Sequence, residues 1–526
     1  MPLSPPLKSL LPLLTTHQIR QWEGRGNQLG FTTEAMVEVA AERIFVWLKE
    51  RSKDVSPSKL KLLFLCGPGL NGADSYAVAR KFSEVGSKCF FLEVLPATHP
   101  VTKIQKHLAL MAGCEELQDS SELMATYWDS DFVLDGIFGA GLSRNLEGPV
   151  LDLVEKLLQN DTQEREPSRP LFIAIDCPTG MEADTGKPLP VCLKCHETLV
   201  MSAFKPGLLS DFSLEFTGKL HLIPMGIPDF SGFQRSGSSP WAEGSGVPSL
   251  PGWVSIPQAS EADFEKKFTK KPYENKLSRG VLSLVVGSDP FPGAGKLVVK
   301  EALALAPGFV QIFTHSGLLK ANLLEQAPEV VQCPGLETWE QEVPESLLRS
   351  KVILIGSGCL APTSQQQVIW TTFLKQAKQK SVLKTIIFDA GWCLGELISP
   401  AVEAGFECVA LPHLGEFARM CPKLHGRLVA GRASKAQTAL EASQALGCYV
   451  LLKGPYNALA SPRAGDEPRC IQTALPCPQL AVAGSGDRLA GRLAAAWLHD
   501  LHLNPTGSRW DVFLGSVQFM LSKPMP

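Results

Sequence analysis

At 526 residues the chain is too long for one ordinary hydrophobic core and suits two or three domains. Its 44% hydrophobic and 20% charged residues exclude a disordered chain. With 50 basic against 53 acidic residues, a formal net charge of −3, it has no electrostatic reason to seek nucleic acid or an anionic membrane.

Residues 1–14 are apolar but interrupted by Pro2, Pro5, Pro6 and Pro12, with a single basic residue, Lys8, and no clear small-residue cleavage site. No signal peptide is expected, and no stretch reaches the roughly 18 uncharged apolar residues of a membrane span. The 14 cysteines are scattered, mostly on apolar runs (Cys66, Cys89, Cys408, Cys448), which fits reduced, core-filling thiols in a cytoplasmic protein. Thr15 or Thr16 can cap a short helix through Gln18, Ile19 and Trp22, and a second helix is predicted from Thr33 to Lys49. Apolar β-type runs then alternate with helical segments: Lys61–Cys66, Cys89–Val94, Phe132–Phe138, Leu171–Asp176, Glu197–Ala203 and Lys219–Met225. Short buried runs separated by helices are what a parallel sheet requires.

A Gly, Ser and Pro-rich stretch without periodicity, 231–254, reads as a linker between a first domain at 10–230 and a second at 255–526. The alternation then restarts with Val281–Gly287, Phe309–Thr314, Lys351–Gly356, Lys384–Ala390, Glu407–Pro412 and Cys448–Gly454 as strands. Helices are predicted over Gly293–Leu305, Pro362–Lys380 and Asp487–Asp500. Two independent α/β domains result.

In the first half, strand Lys61–Cys66 runs into Gly67-Pro68-Gly69-Leu70-Asn71-Gly72-Ala73-Asp74, with a helix expected from Tyr76. A glycine-rich strand-to-helix turn presents backbone N–H groups to an anion, and it serves equally as a tight packing turn. Two further strand ends carry aspartates. Asp135 precedes Gly139-Ala140-Gly141-Leu142-Ser143-Arg144, and Asp176 begins Asp176-Cys177-Pro178-Thr179-Gly180. Ligands of open parallel sheets sit outside the carboxyl ends of the strands, where these turns would gather. The alternative is that both aspartates only cap neighbouring turns.

Together these segments resemble the YjeF N-terminal family, the NAD(P)H-hydrate epimerase domain. Its G-P-G-N-N-G-G-D-G turn corresponds to Gly67–Ser75, departing at Leu70, Ala73 and Ser75; its D-x-x-F-G-T-G-L-S-R corresponds to Asp135–Arg144, with Ala140 for Thr; its D-I-P-S-G-L-D-A-D-T-G corresponds to Asp176–Gly186. Phe204-Lys205-Pro206-Gly207-Leu208 and Gly226-Ile227-Pro228 match two later segments. The resemblance implies a Rossmann-like three-layer αβα domain in which Asn71, Asp135 and Thr179 hold K+ and Asp176 is the catalytic acid/base. It also implies that Leu70, Asn71, Gly72, Ala73, Asp74, Gly139, Ala140, Gly141, Leu142, Ser143, Arg144 and Asn145 bind the hydrated dinucleotide. A carboxylate beside ring carbon C6 can shuttle the proton as the hydroxyl leaves and returns.

In the second half, Ala483-Gly484-Ser485-Gly486-Asp487-Arg488 opens an apolar helix. Glycines at a helix N-terminus leave N–H groups facing an anion, and an aspartate in the first turn can take a proton from a hydroxyl attacking a bound phosphate. The alternative is a glycine-rich cap with Asp487 complementing the helix dipole. Strand ends at Lys453-Gly454-Pro455-Tyr456-Asn457 and Pro412-His413-Leu414-Gly415-Glu416-Phe417 add support. This order resembles the ribokinase-like ADP/ATP-dependent NAD(P)H-hydrate dehydratase family. Its H-K-G-S-R-G corresponds to Asn275–Gly280, departing at Asn275 and Leu277, its G-P-G-L-G to Gly356–Leu360, and its D-A-D to Asp389-Ala390-Gly391, without the second carboxylate. The resemblance implies a ribokinase-like α/β domain with Asp487 as catalytic base and Ala294, Gly358 and His413 on the substrate. Lys453, Gly454, Pro455, Tyr456, Asn457, Gly484, Ser485 and Gly486 would bind ADP or ATP, with Mg2+ accompanying the nucleotide.

The resulting expectation is a homo-oligomeric enzyme that epimerises hydrated NAD(P)H and dehydrates one epimer at the expense of a nucleotide. Two alternatives stay open: a ribokinase-like small-molecule kinase, and a dehydratase whose N-terminal half is a non-catalytic nucleotide-binding module. Cys192-x-x-Cys195-His196 spells a haem-attachment string, read here as coincidence in the absence of an export signal, and His499 and His502 read as surface residues.

Overall fold

The computed structural model of the protein describes residues 10–118, 120–161, 170–227, 252–255, 279–335, 343–462, 470–473, 482–503, 509–510, 512–513 and 515–517. The chain divides into two compact units that meet in sequence at 251/252. Residues 231–251 of the expected linker, and Asn275 and Leu277, lie outside the described residues; residues 252–254 belong to strand Gly252–Ser255, which pairs in parallel with Cys470–Thr473. No helix among the described residues is long and apolar enough to cross a membrane.

The first unit is built on an all-parallel sheet of seven strands. Across the sheet these run Glu115–Glu116, Lys88–Glu93, Lys61–Cys66, Phe132–Gly136, Leu171–Ile175, Glu197–Met201 and Lys219–Ile223. Strand alternation sorts side chains onto two cores. Leu62, Phe64 and Cys66 pack with helices Thr16–Gln28, Thr33–Arg51 and Leu70–Glu84. Leu63 and Leu65 pack on the opposite side with helices Ser120–Asp129 and Gly148–Asp161. Three layers follow directly. The chain direction across the sheet reverses between Lys61–Cys66 and Phe132–Gly136, and such a switch point opens a crevice at the carboxyl ends of the two strands.

Thr15 forms a capping box with Gln18 at the start of helix Thr16–Gln28. The Thr16 backbone N–H and hydroxyl both donate to Asp184, at 2.8 Å each, which ties this helix over the strand ends. One boundary differs from expectation: the helix after the glycine turn starts at Leu70, not Tyr76, so Leu70–Asp74 form its first turns. The turn needs Gly67 without a side chain to pass the Ile137 carbonyl oxygen, 1.8 Å from where a Cβ would stand, and the first turn of the helix needs Gly72 without one, 2.1 Å from the Gly67 carbonyl oxygen.

In the second unit, strands Val331–Pro334, Phe309–Thr314, Val281–Val285, Val352–Ile355, Thr385–Phe388, Glu407–Ala410 and Tyr449–Leu452 form a parallel run. It continues through antiparallel Ala458–Ala460 and Cys470–Thr473. One face packs on helices Pro292–Ala304 and Ser485–Leu503 through Val298, Ala302, Leu493 and Trp497. On the other, Trp370 of helix Ser364–Lys380 meets Phe388 and Trp392 edge-on. Here the switch point lies between Val281–Val285 and Val352–Ile355. His499, expected at the surface, is buried, and its Nε2 lies 2.7 Å from the Leu305 carbonyl; its helix packs on Pro292–Ala304 along that side. Cys192 and Cys195 are buried free thiols, and His196 Nδ1 accepts the Phe172 N–H at 2.9 Å, so this string is bound into the fold.

Candidate active sites

At the switch point of the first unit lies a cleft of about 650 Å3. Its walls include Leu70, Asn71, Asp74, Gly139 to Arg144 and Asp176, together with Arg20, Glu23 and Asn27 of helix Thr16–Gln28 and Ser202 and Lys205 beyond strand Glu197–Met201. Gly72 and Ala73 are buried in their helix, and Asn145 is exposed outside the cleft. Leu70 sits exposed at the rim. Ser75, where the resembled motif has glycine, donates to the Asn71 carbonyl at 3.1 Å and fits against Gly136, which has no Cβ to meet it.

Asp176 follows its strand with φ 69°, a left-handed conformation costly for a residue with a side chain. Its Oδ2 accepts the Ala140 N–H at 2.8 Å, and its Oδ1 accepts the Met201 N–H at 3.3 Å and the Lys205 ammonium. Lys205 is itself buried and donates also to the Met201 carbonyl at 2.8 Å. Burial, and after it the Asp176 and Glu23 carboxylates, push Asp74 well above the ordinary aspartate range.

Asp135 is fully buried. It accepts the Thr179 N–H and hydroxyl at 2.7 Å each and the Ile137 N–H at 3.2 Å. Burial outweighs these bonds and pushes it up to about 6. None of these three partners is cationic, and among the described residues Asn71 Nδ2 has no hydrogen-bond partner. The carboxylate of Asp135 and the hydroxyl of Thr179 are oxygen donors of the kind a cation preferring oxygen takes.

The second unit gathers its expected residues around Lys453. The Lys453 backbone N–H donates to the Pro412 carbonyl at 2.8 Å, and its ammonium donates to Asp389 at 2.7 Å and stands 3.8 Å from Glu416. Ser357 donates to the other Asp389 oxygen at 2.6 Å. A Cβ on Gly486 would lie 3.4 Å from the Lys453 nitrogen, so the start of helix Ser485–Leu503 abuts this pair. Burial disfavours the ammonium, but Asp389 and Glu416 outweigh it and hold Lys453 above the usual lysine range. Asp487, in the first turn of the helix, is pushed up to about 6 by burial and then by Asp389, against Lys453 and with a smaller push from Glu416. Arg488 pairs with Glu301 at 2.9 Å and fixes the helix start on helix Pro292–Ala304.

Ala294 and Gly358 meet at the switch point, where Ser288 donates to the Gly358 carbonyl at 2.7 Å. His413 caps helix Leu414–Met420, with its Nε2 3.1 Å from Glu416, and so joins the cluster through that glutamate. Gly454 and Pro455 are half-buried beside Lys453, whereas Tyr456 and Asn457 are buried. Asn457 exchanges bonds with Thr473 through its backbone, and among the described residues neither polar atom of its carboxamide has a hydrogen-bond partner. Gly391 lies in a 3-10 turn where a Cβ would stand 3.2 Å from the Ala361 nitrogen. Among the described residues no group of three or more His, Cys, Asp or Glu could hold a metal ion.

Gly356 carries φ 120°, and a Cβ there would lie 2.0 Å from the Asp389 carbonyl oxygen. Gly356→Ala is therefore expected to destabilise the second unit by about 3 kcal/mol or more, read by denaturant titration, and to displace Asp389.

Sequence reading alone left Lys205, Glu23, Asp389 and Glu416 without site roles. Arg20, Glu23 and Asn27 recur at helical spacing on one face of the first helix, and that polar stripe was the available signal for the cleft wall.

Residues 33–207 match the family model described as YjeF-related protein N-terminus, and residues 282–502 match the one described as NAD(P)H-hydrate dehydratase. The sequence is 26% identical over 507 residues to the bifunctional NAD(P)H-hydrate repair enzyme Nnr of Thermosynechococcus vestitus, spanning 95% of this chain and 91% of that one. It is 26% identical over 439 residues to the protein of the same description from Escherichia coli, spanning 82% and 75%. A structure of the ADP/ATP-dependent NAD(P)H-hydrate dehydratase from Bacillus subtilis, co-crystallised with ATP and Mg2+, aligns with half of this chain (50%) and 86% of its own, at 22% identity and a TM-score of 0.38.

Proposed function

We propose, from the premise that the chain joins a YjeF-related N-terminal domain to an NAD(P)H-hydrate dehydratase domain, that it repairs hydrated NAD(P)H in two steps. The first unit interconverts the R and S epimers at ring carbon C6. The second dehydrates the S epimer with ADP or ATP as co-substrate.

In the second step the Asp487 carboxylate takes the proton of the C6 hydroxyl as its oxygen attacks the terminal phosphorus of the nucleotide. AMP leaves from ADP, or ADP from ATP. Phosphate then departs from C6 with loss of the C5 proton, and the ring double bond is restored. Hydroxide is a poor leaving group and phosphate a good one, which gives the nucleotide its chemical purpose. The N–H groups of Gly484 and Gly486 face the phosphates, that of Ser485 being donated to the Val482 carbonyl at 3.2 Å, and Lys453 supplies positive charge beside them. His413, Ala294 and Gly358 border the hydrated ring. Magnesium would arrive on the phosphates of the nucleotide, as it commonly does, not in a preformed cage.

In the first step Asp176 moves the proton at the C6 hydroxyl, and Leu70, Asn71, Asp74 and the turn at 139–144 hold the dinucleotide. Asn71, Asp135 and Thr179 would hold potassium, which would supply the positive charge that Asp135 lacks.

The observation that carries this reading is Asp487, a carboxyl pushed up to about 6 in the first turn of a helix that abuts Lys453. The test is incubation with both epimers, magnesium, potassium and ADP or ATP, following reduced-nicotinamide absorbance against an enzyme-free control for spontaneous epimerisation. Full recovery of NAD(P)H is expected. Recovery that stops when the S form is consumed would mean a catalytically silent first unit. No recovery, with nucleotide consumed on another alcohol, would mean a small-molecule kinase.

A further inference from the structure

The N-terminal cleft holds a second carboxyl group that the epimerisation chemistry above does not use. Glu23 enters from helix Thr16–Gln28, a different wall from the strand end that carries Asp176, and both residues line the cavity. The Ser202 hydroxyl donates to Glu23 at 3.4 Å. Ser202 has φ 64° directly after strand Glu197–Met201, as Asp176 has φ 69° directly after Leu171–Ile175. Two neighbouring strand ends therefore hold non-glycine residues in the left-handed region, and each presents its side chain to the same cleft. Strain of this kind persists only where surrounding structure enforces it.

Epimerisation at C6 has a geometric requirement that one carboxylate does not meet. Loss of hydroxyl leaves C6 planar and doubly bonded to the ring nitrogen, and water must return to the opposite face. A group on one face can assist departure, while a group on the other must assist return.

Resting on the epimerase reading, we propose that Glu23 is the second acid/base of the N-terminal site, paired with Asp176 across the hydrated ring. Starting from one epimer, the Glu23 carboxyl gives its proton to the C6 hydroxyl. The C6–O bond breaks as the ring nitrogen's lone pair forms the N=C6 bond, and water leaves. A water on the other face then adds to C6, its electron pair returns the N=C6 electrons to nitrogen, and Asp176 takes its proton. Glu23 ends as carboxylate and Asp176 as acid, the arrangement that the opposite epimer requires, so the reverse conversion or exchange with solvent resets the site.

The surrounding charges suit this division. Burial, and then the Asp176 carboxylate, raise Glu23 above the ordinary glutamate range, while Lys205, the Ser202 hydroxyl and Arg20 oppose the shift. Asp74, raised by burial, Asp176 and Glu23, is the remaining carboxyl of the cluster, and Arg144 lines the same cleft. Lys205 donates its ammonium to Asp176, whereas Glu23 accepts from a neutral hydroxyl, which matches Asp176 as proton acceptor and Glu23 as donor.

The test uses the full chain without nucleotide, which silences dehydration, and a single purified epimer followed by chromatography. Wild type is expected to give a bell-shaped kcat/KM against pH. Glu23→Gln, which keeps the shape and can still accept from Ser202, is expected to lose about 100-fold in kcat with KM changed less than about threefold. Its residual rate should no longer fall on the alkaline side, and Glu23→Asp should restore that fall at a reduced rate. A merely structural Glu23 would leave the alkaline limb in place. Glu23→Gln with near-wild-type kcat, or with the alkaline limb intact, overturns the inference alone. A wild-type chain that does not interconvert the epimers faster than buffer overturns the epimerase reading and this inference with it.

Discussion

Asp487→Asn is expected to reduce nucleotide-dependent dehydration by about 10²–10⁴-fold, with little change in nucleotide binding. The substitution removes the proton acceptor but keeps the side-chain volume in the first turn of helix Ser485–Leu503 and leaves the Arg488–Glu301 anchor in place. Because burial and Asp389 push Asp487 up to about 6, wild-type kcat/KM should fall as pH drops through that value, two pH units earlier than an ordinary aspartate would impose. The direction follows from the role. A base works only when deprotonated, so raising its pKa moves the loss of activity to higher pH. The acidic limb should be absent from the residual rate of Asp487→Asn. If the variant turns over normally, or if it retains that limb, Asp487 is not the base.

That helix start was legible in sequence because its signal is local: glycines, an aspartate and an apolar run within a dozen residues. The central strands were legible for the same reason, although their carboxyl ends were drawn too long. Phe132–Phe138 leaves the ladder after Gly136, and Leu171–Asp176 after Ile175, because the last residues turn away to build the sites. Strands Glu115–Glu116 and Ala458–Ala460 are too short for periodicity to register, and Val331–Pro334, exposed at both ends, offers no buried apolar run. The assembly around each carboxylate was the least visible part. Asp389 and Glu416 meet Lys453 from chain positions 64 and 37 residues away, and Glu23 meets Ser202 across 179. Only the order of strands in the sheet brings such residues together, and no window of sequence contains that order.

Lys205 is where that long-range assembly should have its largest effect on the first unit. Lys205→Met keeps an unbranched side chain of similar length but removes the ammonium that Asp176 and the Met201 carbonyl both accept from. Asp176, Glu23 and Asp74 would then share a cleft with Arg20 and Arg144 as its remaining cations, neither of them hydrogen-bonded to Asp176 in the described contacts. Loss of a buried cation disfavours the charged form of the carboxylates around it, which works against a proton acceptor within the cluster. Epimerisation is therefore expected to fall by at least about 100-fold. Breaking a buried ion pair from one side also leaves a charge uncompensated, at a cost of about 3–5 kcal/mol, so the first unit should melt earlier. Dehydration of the S epimer by the same chain is expected to stay within about twofold, since none of the groups around Asp487 involves Lys205. Epimerisation at the wild-type rate in Lys205→Met would show that Asp176 needs no cationic partner, and the electrostatic account of this cleft would fail.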